Sequence, residues 1–532
     1  VDPSSTIRAF QKILTTFQFR QENVSFPEEF AIKRFLKKME IPDKERAKLR
    51  AEACFDTWLT SDEQLKLPKL LPGNWYKARL LIHQWCRDFR LDPVVFTNGS
   101  ESAPTFGYNS LESKLMRSKW ECSSDCFELW AETAYNSLAL RRSVRRRFLA
   151  VMKYNWAGVK SFHKESYKMF KDQRDFKFQC FRRTLSYVTR VREASRFSTV
   201  RKNNEVDRPI DVQPLCNMLV QRRIGNGFRA LLLKNSVDLN HLADKHREMI
   251  SHRGLATIDL KNASDSIHLD LIRFLFPASV FELIVRSRMF FIEAPNGDFI
   301  VPNKVSSMGN GFTFELMTVV IRALGLQYDA NFSVFGDDII IADEHADALM
   351  GDLRAVGFLP NVQKTFIRSP FRESCGGNYH DDFGYIESYD FEYPENIHDC
   401  VVINNKAYAL GLIYPQFRRL STLLLRTVPI ALRGPAFAYA NDGRRGYDHQ
   451  INLSTTFWSN QTGGESWSGR WIKTKLKELH YDPKSFKMIY GFVYLPKLAS
   501  RSTLRLDMRR HTGKYFMYLN ACKRVDDTIT GR

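Results

Sequence analysis

Two adjacent carboxylates, Asp337 and Asp338, follow a glycine between two short apolar runs, Phe332-Ser-Val-Phe335 and Ile339-Ile-Ile-Ala342. An apolar run, a tight Gly-Asp-Asp turn and a second apolar run predict a β-hairpin, with Gly336 supplying a backbone angle that other residues avoid. Such a hairpin holds both carboxylates at its tip on a rigid support, the platform that divalent cations facing a triphosphate require. A bare Gly-Asp-Asp is also an ordinary turn sequence, so the assignment depends on its surroundings. Upstream, Leu255-Ala-Thr-Ile-Asp259-Leu260 is an apolar strand that runs into a carboxylate. Asp259 suits either of two roles: a cap or turn residue before the helical spacing of Ile267 to Phe276, or a further metal ligand. Two-metal phosphoryl transfer draws carboxylates from separate strands onto ions about 3.5–4 Å apart. One ion activates an attacking hydroxyl and the other offsets charge on the leaving pyrophosphate.

The elements around these carboxylates support that chemistry. Between them runs Val305-Ser-Ser307-Met-Gly-Asn310-Gly-Phe-Thr313-Phe-Glu-Leu-Met317, a small glycine-rich loop leading into an apolar segment, Leu316 to Leu326, long enough for a helix. Glycines admit a nucleic-acid strand close to the backbone, and Ser, Asn and Thr offer hydrogen bonds to sugar or base. Downstream lie Gly357-Phe-Leu-Pro-Asn361-Val-Gln-Lys364-Thr365 and Ser369-Pro-Phe371-Arg-Glu373-Ser-Cys375-Gly376.

In this order the segments resemble the replicase subunit of the small single-stranded RNA bacteriophages, the leviviruses, an RNA-dependent RNA polymerase. Ala256-Thr-Ile-Asp259-Leu with Ala263-Ser-Asp265-Ser266 is similar to motif A, and Ser307-Met-Gly-Asn-Gly-Phe-Thr-Phe-Glu-Leu316 to motif B. Phe335-Gly-Asp-Asp-Ile-Ile340, Lys364-Thr-Phe366 and Phe371-Arg-Glu-Ser-Cys-Gly376 resemble motifs C, D and E. Val200-Arg-Lys202-Asn-Asn-Glu205-Val-Asp207-Arg208-Pro-Ile210, then Gln213-Pro-Leu-Cys-Asn217, looks like motif F.

The resemblance implies an α+β, right-hand polymerase with fingers, palm and thumb and an antiparallel catalytic hairpin. Residues 1–250 would be mainly fingers, with motif F near 200–217. Residues 251–390 would be the palm with motifs A to E and a fingers excursion near 285–301, and 391–532 the thumb and C-terminal region. Asp259 and Asp337 would hold two Mg²⁺ ions, for which Mn²⁺ can substitute, with Asp338 supporting them or binding one ion. Lys202 and Arg208 would grip the incoming triphosphate, since Lys and Arg offset phosphate charge. Lys364 would protonate departing pyrophosphate. Two positions depart from the wider pattern: Glu205 stands where relatives often carry a basic residue, and Met317 stands where many positive-strand polymerases have a ribose-recognising Asn. The second departure is shared by phage replicases, so ribose selection would fall to Asp265, Ser307 and Asn310. The family further implies primer-independent initiation and an RNA template and product. It also implies host elongation factors Tu and Ts with a host small-subunit ribosomal protein as partners, in the cytoplasm of the bacterial host.

Composition is in keeping with a polyanion partner. The 532 residues carry 79 Lys+Arg against 59 Asp+Glu, a net charge of +20. Release of phosphate counterions supplies much of the affinity of such proteins for nucleic acid. The densest patch is Arg141-Arg142 with Arg145-Arg-Arg147, either a nucleic-acid path, a docking surface or a solvated helix face. The cysteines, nine in all, form no repeated pair spacing. Cys122-x-x-x-Cys126 stands without a second pair, which argues against zinc and for reduced thiols. Cys375 is expected as a small buried hydrophobe. There is no apolar run long enough to cross a membrane and no secretory signal; the chain begins at Val1 without an initiator Met. Pro295-Asn-Gly-Asp298 predicts a hairpin turn. Gly463-Gly464 among Trp458, Trp467 and Trp471 could form an aromatic platform or ordinary packing. Two other classes compete. A reverse transcriptase shares the palm but usually differs before its Asp-Asp and after motif A. A non-catalytic RNA-binding virion protein would explain the charge but not three aspartates at strand ends.

Overall fold

The computed structural model describes residues 3–20, 22–91, 120–151, 173–394 and 397–427. Its first strands are β1 (Trp120–Cys122), β2 (Thr189–Val191), β3 (Ala194–Arg201) and β4 (Asp207–Val212). The central segment adds β5 (Leu255–Ile258), β6 (Leu260–Lys261), β7 (Phe291–Glu293), β8 (Phe299–Ile300), β9 (Ser333–Phe335) and β10 (Asp338–Ala342). Then follow β11 (Leu359–Pro360), β12 (Phe371–Ser374), β13 (Gly377–His380) and β14 (Gly384–Tyr385). Helices fill most of the remainder, giving an α+β fold.

The apolar runs flanking Gly336 become β9 and β10, paired antiparallel with Asp338 opposite Phe335. β10 also pairs antiparallel with β5, with Ile339 opposite Ile258 and Ile340 opposite Thr257. The branched residues Ile339, Ile341, Val334 and Ile258 suit this pleated surface and bury their side chains in the main core. Above the sheet lies the helix Thr313–Gly325, apolar around nearly its whole circumference and therefore sunk in the protein.

A second sheet has the order β4-β3-β7-β8. β7 lies parallel to β3 and antiparallel to β8. Residues 291–300 thus join the sheet of 194–212, and the Pro295–Asp298 turn closes with an Ala294 N–H donating to the Asp298 carbonyl at 2.8 Å.

The two ends of the described chain pack together. Apart from Met39, the side chains that share a core with residues 3–36 come from beyond residue 388. Phe10, Leu14, Ile32 and Phe35 pack with Phe391, Ile403, Phe417 and Leu420. Ion pairing of Arg34 with Asp390 at 2.8 Å ties the same two segments. The helices Pro3–Thr16 and Phe26–Leu36 each carry an apolar stripe that neither can bury alone, and the helices Ile397–Gly411 and Pro415–Thr427 offer the complement. A chain-order boundary cannot register that pairing. The tryptophans and glycine pair near 458–471 lie outside the described residues. Among the described residues no helix is long and apolar enough to cross a membrane.

Candidate active site

Gly336 has φ +67° and begins a two-residue loop whose second residue is Asp337. Its N–H donates to the Thr318 hydroxyl at 3.1 Å. A Cβ on Gly336 would lie 2.3 Å from the Phe314 ring, which itself packs edge-on to Phe335. The helix Thr313–Gly325 therefore clamps the turn that presents Asp337 and Asp338. One step beyond the Ile339–Ile258 pair, the same register sets Asp338 beside Asp259. The Asn361 side-chain amide donates to Asp259 Oδ2 at 2.9 Å, and its backbone N–H donates to the Asp259 carbonyl at 2.8 Å.

A tight β12–β13 turn approaches Asp338 from the other side. Cys375 and Gly376 both have positive φ, as a primed hairpin turn demands. The Cys375 N–H donates to Asp338 Oδ2 at 3.2 Å. Cys375 is half-buried rather than core, and it serves the site through its backbone. Buried His246 bridges the hydroxyls of Ser374 and Ser333, at 2.9 and 2.8 Å, and so pins this turn to β9. Burial, then Lys245, pushes His246 down to about 4, so the ring is neutral.

The carboxylates repel one another. Burial, then the charges of Asp337 and Asp259, pushes Asp338 up to about 7. Asp337 is also raised, by burial and then by Asp259, against the pull of Lys364 and Arg208. Among the described residues, no three His, Cys, Asp or Glu side chains are drawn close enough to surround one ion.

Cations face this acidic tip. Lys364 ion-pairs with Glu373 at 3.3 Å. Burial opposes its charge, but Glu373 and then Asp259 outweigh that, and its value is raised. Lys202 and Arg208 flank the β3–β4 loop, and both keep solvent contact. Partial desolvation, then Arg208, lowers Lys202, while Asp259 acts in the opposite direction. The structure thus brings Asp259, Asp337, Asp338, Lys364, Lys202 and Arg208 within electrostatic reach of one another.

Asp265, Ser307 and Asn310 occupy a tighter setting. Asp265 is 6% exposed, with Oδ1 accepting from Trp58 Nε1 at 3.0 Å and Oδ2 from the Ser264 hydroxyl at 3.1 Å. The Ser307 hydroxyl is buried without a hydrogen-bond partner. Asn310 Oδ1 accepts from the Ser307 N–H at 2.9 Å, closing the loop on itself. Met317 is buried in the main core. In the arginine patch, Arg147 is buried with its guanidinium 3.9 Å from the Trp120 ring centroid, and exposed Arg141 lies 5.6 Å from the Tyr135 ring centroid. Asn361, His246 and Thr318 support the site through residues distant in sequence, whereas Glu373, inside the motif E match, pairs with the nearby Lys364.

The family model described as RNA replicase, beta-chain, matches residues 109–436, and the chain belongs to that family. Over 259 residues the chain is 36% identical to the RNA-directed RNA polymerase subunit beta of Enterobacteria phage SP, covering 45% of each chain. Against the subunit of the same name from Escherichia virus Qbeta it is 35% identical over 259 residues, 44% of each chain. The match therefore spans less than half the length of these curated relatives. A solved structure, the insertion-loop deletion mutant of a human picorbirnavirus RNA-dependent RNA polymerase, aligns at TM-score 0.39 and 11% identity. That alignment covers 80% of this chain and 85% of the other, a likeness too slight to argue from.

Proposed function

We propose that this chain synthesises RNA on an RNA template from ribonucleoside triphosphates, replicating a phage RNA genome without a primer. The observation that carries the reading is the convergence of Asp259 with Asp337 and Asp338 at one end of the β5–β10–β9 sheet, faced by Lys202, Arg208 and Lys364. Membership of the replicase beta-chain family supports it.

The carboxylates suit divalent cations, because mutual repulsion raises Asp337 and Asp338 and a cation beside them would relieve it. Mg²⁺, or Mn²⁺ in its place, held by Asp259 and Asp337 with Asp338 in support, would activate the 3′-hydroxyl and offset charge on pyrophosphate. Lys202 and Arg208 bind the triphosphate; phosphate beside Lys202 would oppose the desolvation and the Arg208 charge that lower it. Lys364, kept protonated by Glu373 and Asp259, delivers a proton to the leaving pyrophosphate. Asp265, Ser307 and Asn310 read the ribose 2′-hydroxyl, which both donates and accepts. The RNA template and product follow the basic surface, and host elongation factors Tu and Ts with a small-subunit ribosomal protein complete the enzyme in the bacterial cytoplasm.

The test is incorporation of labelled ribonucleotides on an RNA template, with Mg²⁺ and then with EDTA, by the chain alone and with bacterial extract. Metal-dependent synthesis is expected in at least one arm. Asp337→Asn should abolish it while leaving the circular-dichroism spectrum and melting transition in place. RNA binding with no metal-dependent incorporation in either arm would overturn the reading in favour of a virion RNA-binding protein.

A further inference from the structure

Lys304, just ahead of the glycine-rich loop, is fully buried. Its Nζ lies 3.3 Å from Asp265 Oδ1 and 3.7 Å from Asp62 Oδ1. The same atom sits 3.9 Å from the centroid of the Trp58 ring, whose Nε1–H donates to Asp265 Oδ1. The surrounding backbone is fastened as well. Asp62 accepts from the N–H groups of Asn303 and Lys304, and Arg288 donates to the Lys304 carbonyl at 2.7 Å. One ammonium thus links the helix Lys44–Gln64 to the segment after β6. Burying a lysine is costly unless partners compensate it, and a buried ion pair of this kind is weak evidence for stability.

We infer that Lys304 is a positioning residue for sugar selection: with Trp58 it fixes Asp265 Oδ1, so that Oδ2 faces the ribose 2′-hydroxyl. The inference rests on the polymerase reading and on Asp265 as the sugar sensor. Met317 is packed in the core and brings no amide to Asp265. Lys304 and the Trp58 indole, both on Oδ1, are the contacts that hold the Asp265 carboxylate from the side of the helix Lys44–Gln64. Oδ2 accepts the Ser264 hydroxyl and keeps a lone pair for a substrate donor.

The test compares kcat/KM for a ribonucleoside triphosphate and its 2′-deoxy counterpart, using the full chain under the conditions that support synthesis. Lys304→Met removes the charge at similar volume, and Trp58→Phe removes only the N–H and part of the ring. The ribose-to-deoxyribose preference should fall about tenfold in Lys304→Met and about threefold in Trp58→Phe, as loss of a buried ion pair and of a neutral hydrogen bond implies. Should Lys304→Met fail to fold, Trp58→Phe decides the matter. A lower rate with unchanged preference would mark a merely structural role and overturn the inference. Absence of synthesis by the unaltered chain would remove the polymerase reading itself, and this inference with it.

Discussion

Asp338 meets opposing demands. It accepts the Cys375 N–H through Oδ2, yet burial and the neighbouring charges of Asp337 and Asp259 push it up to about 7 from an unfolded value near 3.8. Between those values the folded chain holds a proton that the unfolded chain has released. Stability therefore falls as pH rises through this window, and the full cost is felt above about pH 7. Asp338→Asn removes that cost. In metal-free buffer the variant should melt higher than the unaltered protein at pH 8, by about 2–4 kcal/mol of stability, and nearly equal to it at pH 4. Calorimetry at both pH values is the check; an equal difference at each would count against a raised Asp338. The ionised form is also the one suited to a cation, so synthesis at limiting Mg²⁺ should decline as pH drops below about 7.

Among the elements, the helix Thr313–Gly325 controls the turn at Gly336. Thr318 accepts from Gly336, and the Phe314 ring fills the space a side chain would need. Gly336→Ala combines a positive φ with a 2.3 Å clash against Phe314. It should cost about 1–3 kcal/mol and lower incorporation well before the fold is lost. Truncating Phe314 to Leu relieves the clash but not the backbone strain, so the double variant should recover activity only in part. Denaturant melts and incorporation assays on the single and double variants test this; full recovery would mean that sterics alone require the glycine.

At the scale of the whole molecule, two large cores account for most of the buried apolar side chains of the described chain, beside a small cluster of Trp58, Phe197 and Ile292. The larger of these two holds both the β5–β10–β9 sheet and the helix that clamps its turn, and the other joins residues 3–36 to 391–427. Phe35, 2% exposed, packs against Phe19, Phe391 and Phe417. Phe35→Ala should cost about 3–5 kcal/mol. Hydrogen exchange should quicken first in 3–36 and 391–427 while β5, β9 and β10 keep their protection. Simultaneous loss in both regions would show that the cores unfold as one unit.

The sequence by itself determined the turn and the elements that flank it. Gly-Asp-Asp between apolar runs, a strand ending in Asp259 and a glycine-rich loop before a helix are local patterns, written in turn preference and hydrophobic period within a few residues. β9, β10, β5 and the helix Thr313–Gly325 appear where those patterns place them, as does the hairpin at Pro295–Asp298. Tertiary structure decided what steadies and supplements them. Asn361 holds Asp259, His246 pins the Cys375 turn, Lys304 meets Asp265 and Asp62, and the first helices leave their neighbours in the chain for the segment after Tyr389. Each of these depends on a partner far away in sequence. A buried charge, a hydroxyl or an apolar stripe has many candidate partners along an unfolded chain, and only the packed fold selects one.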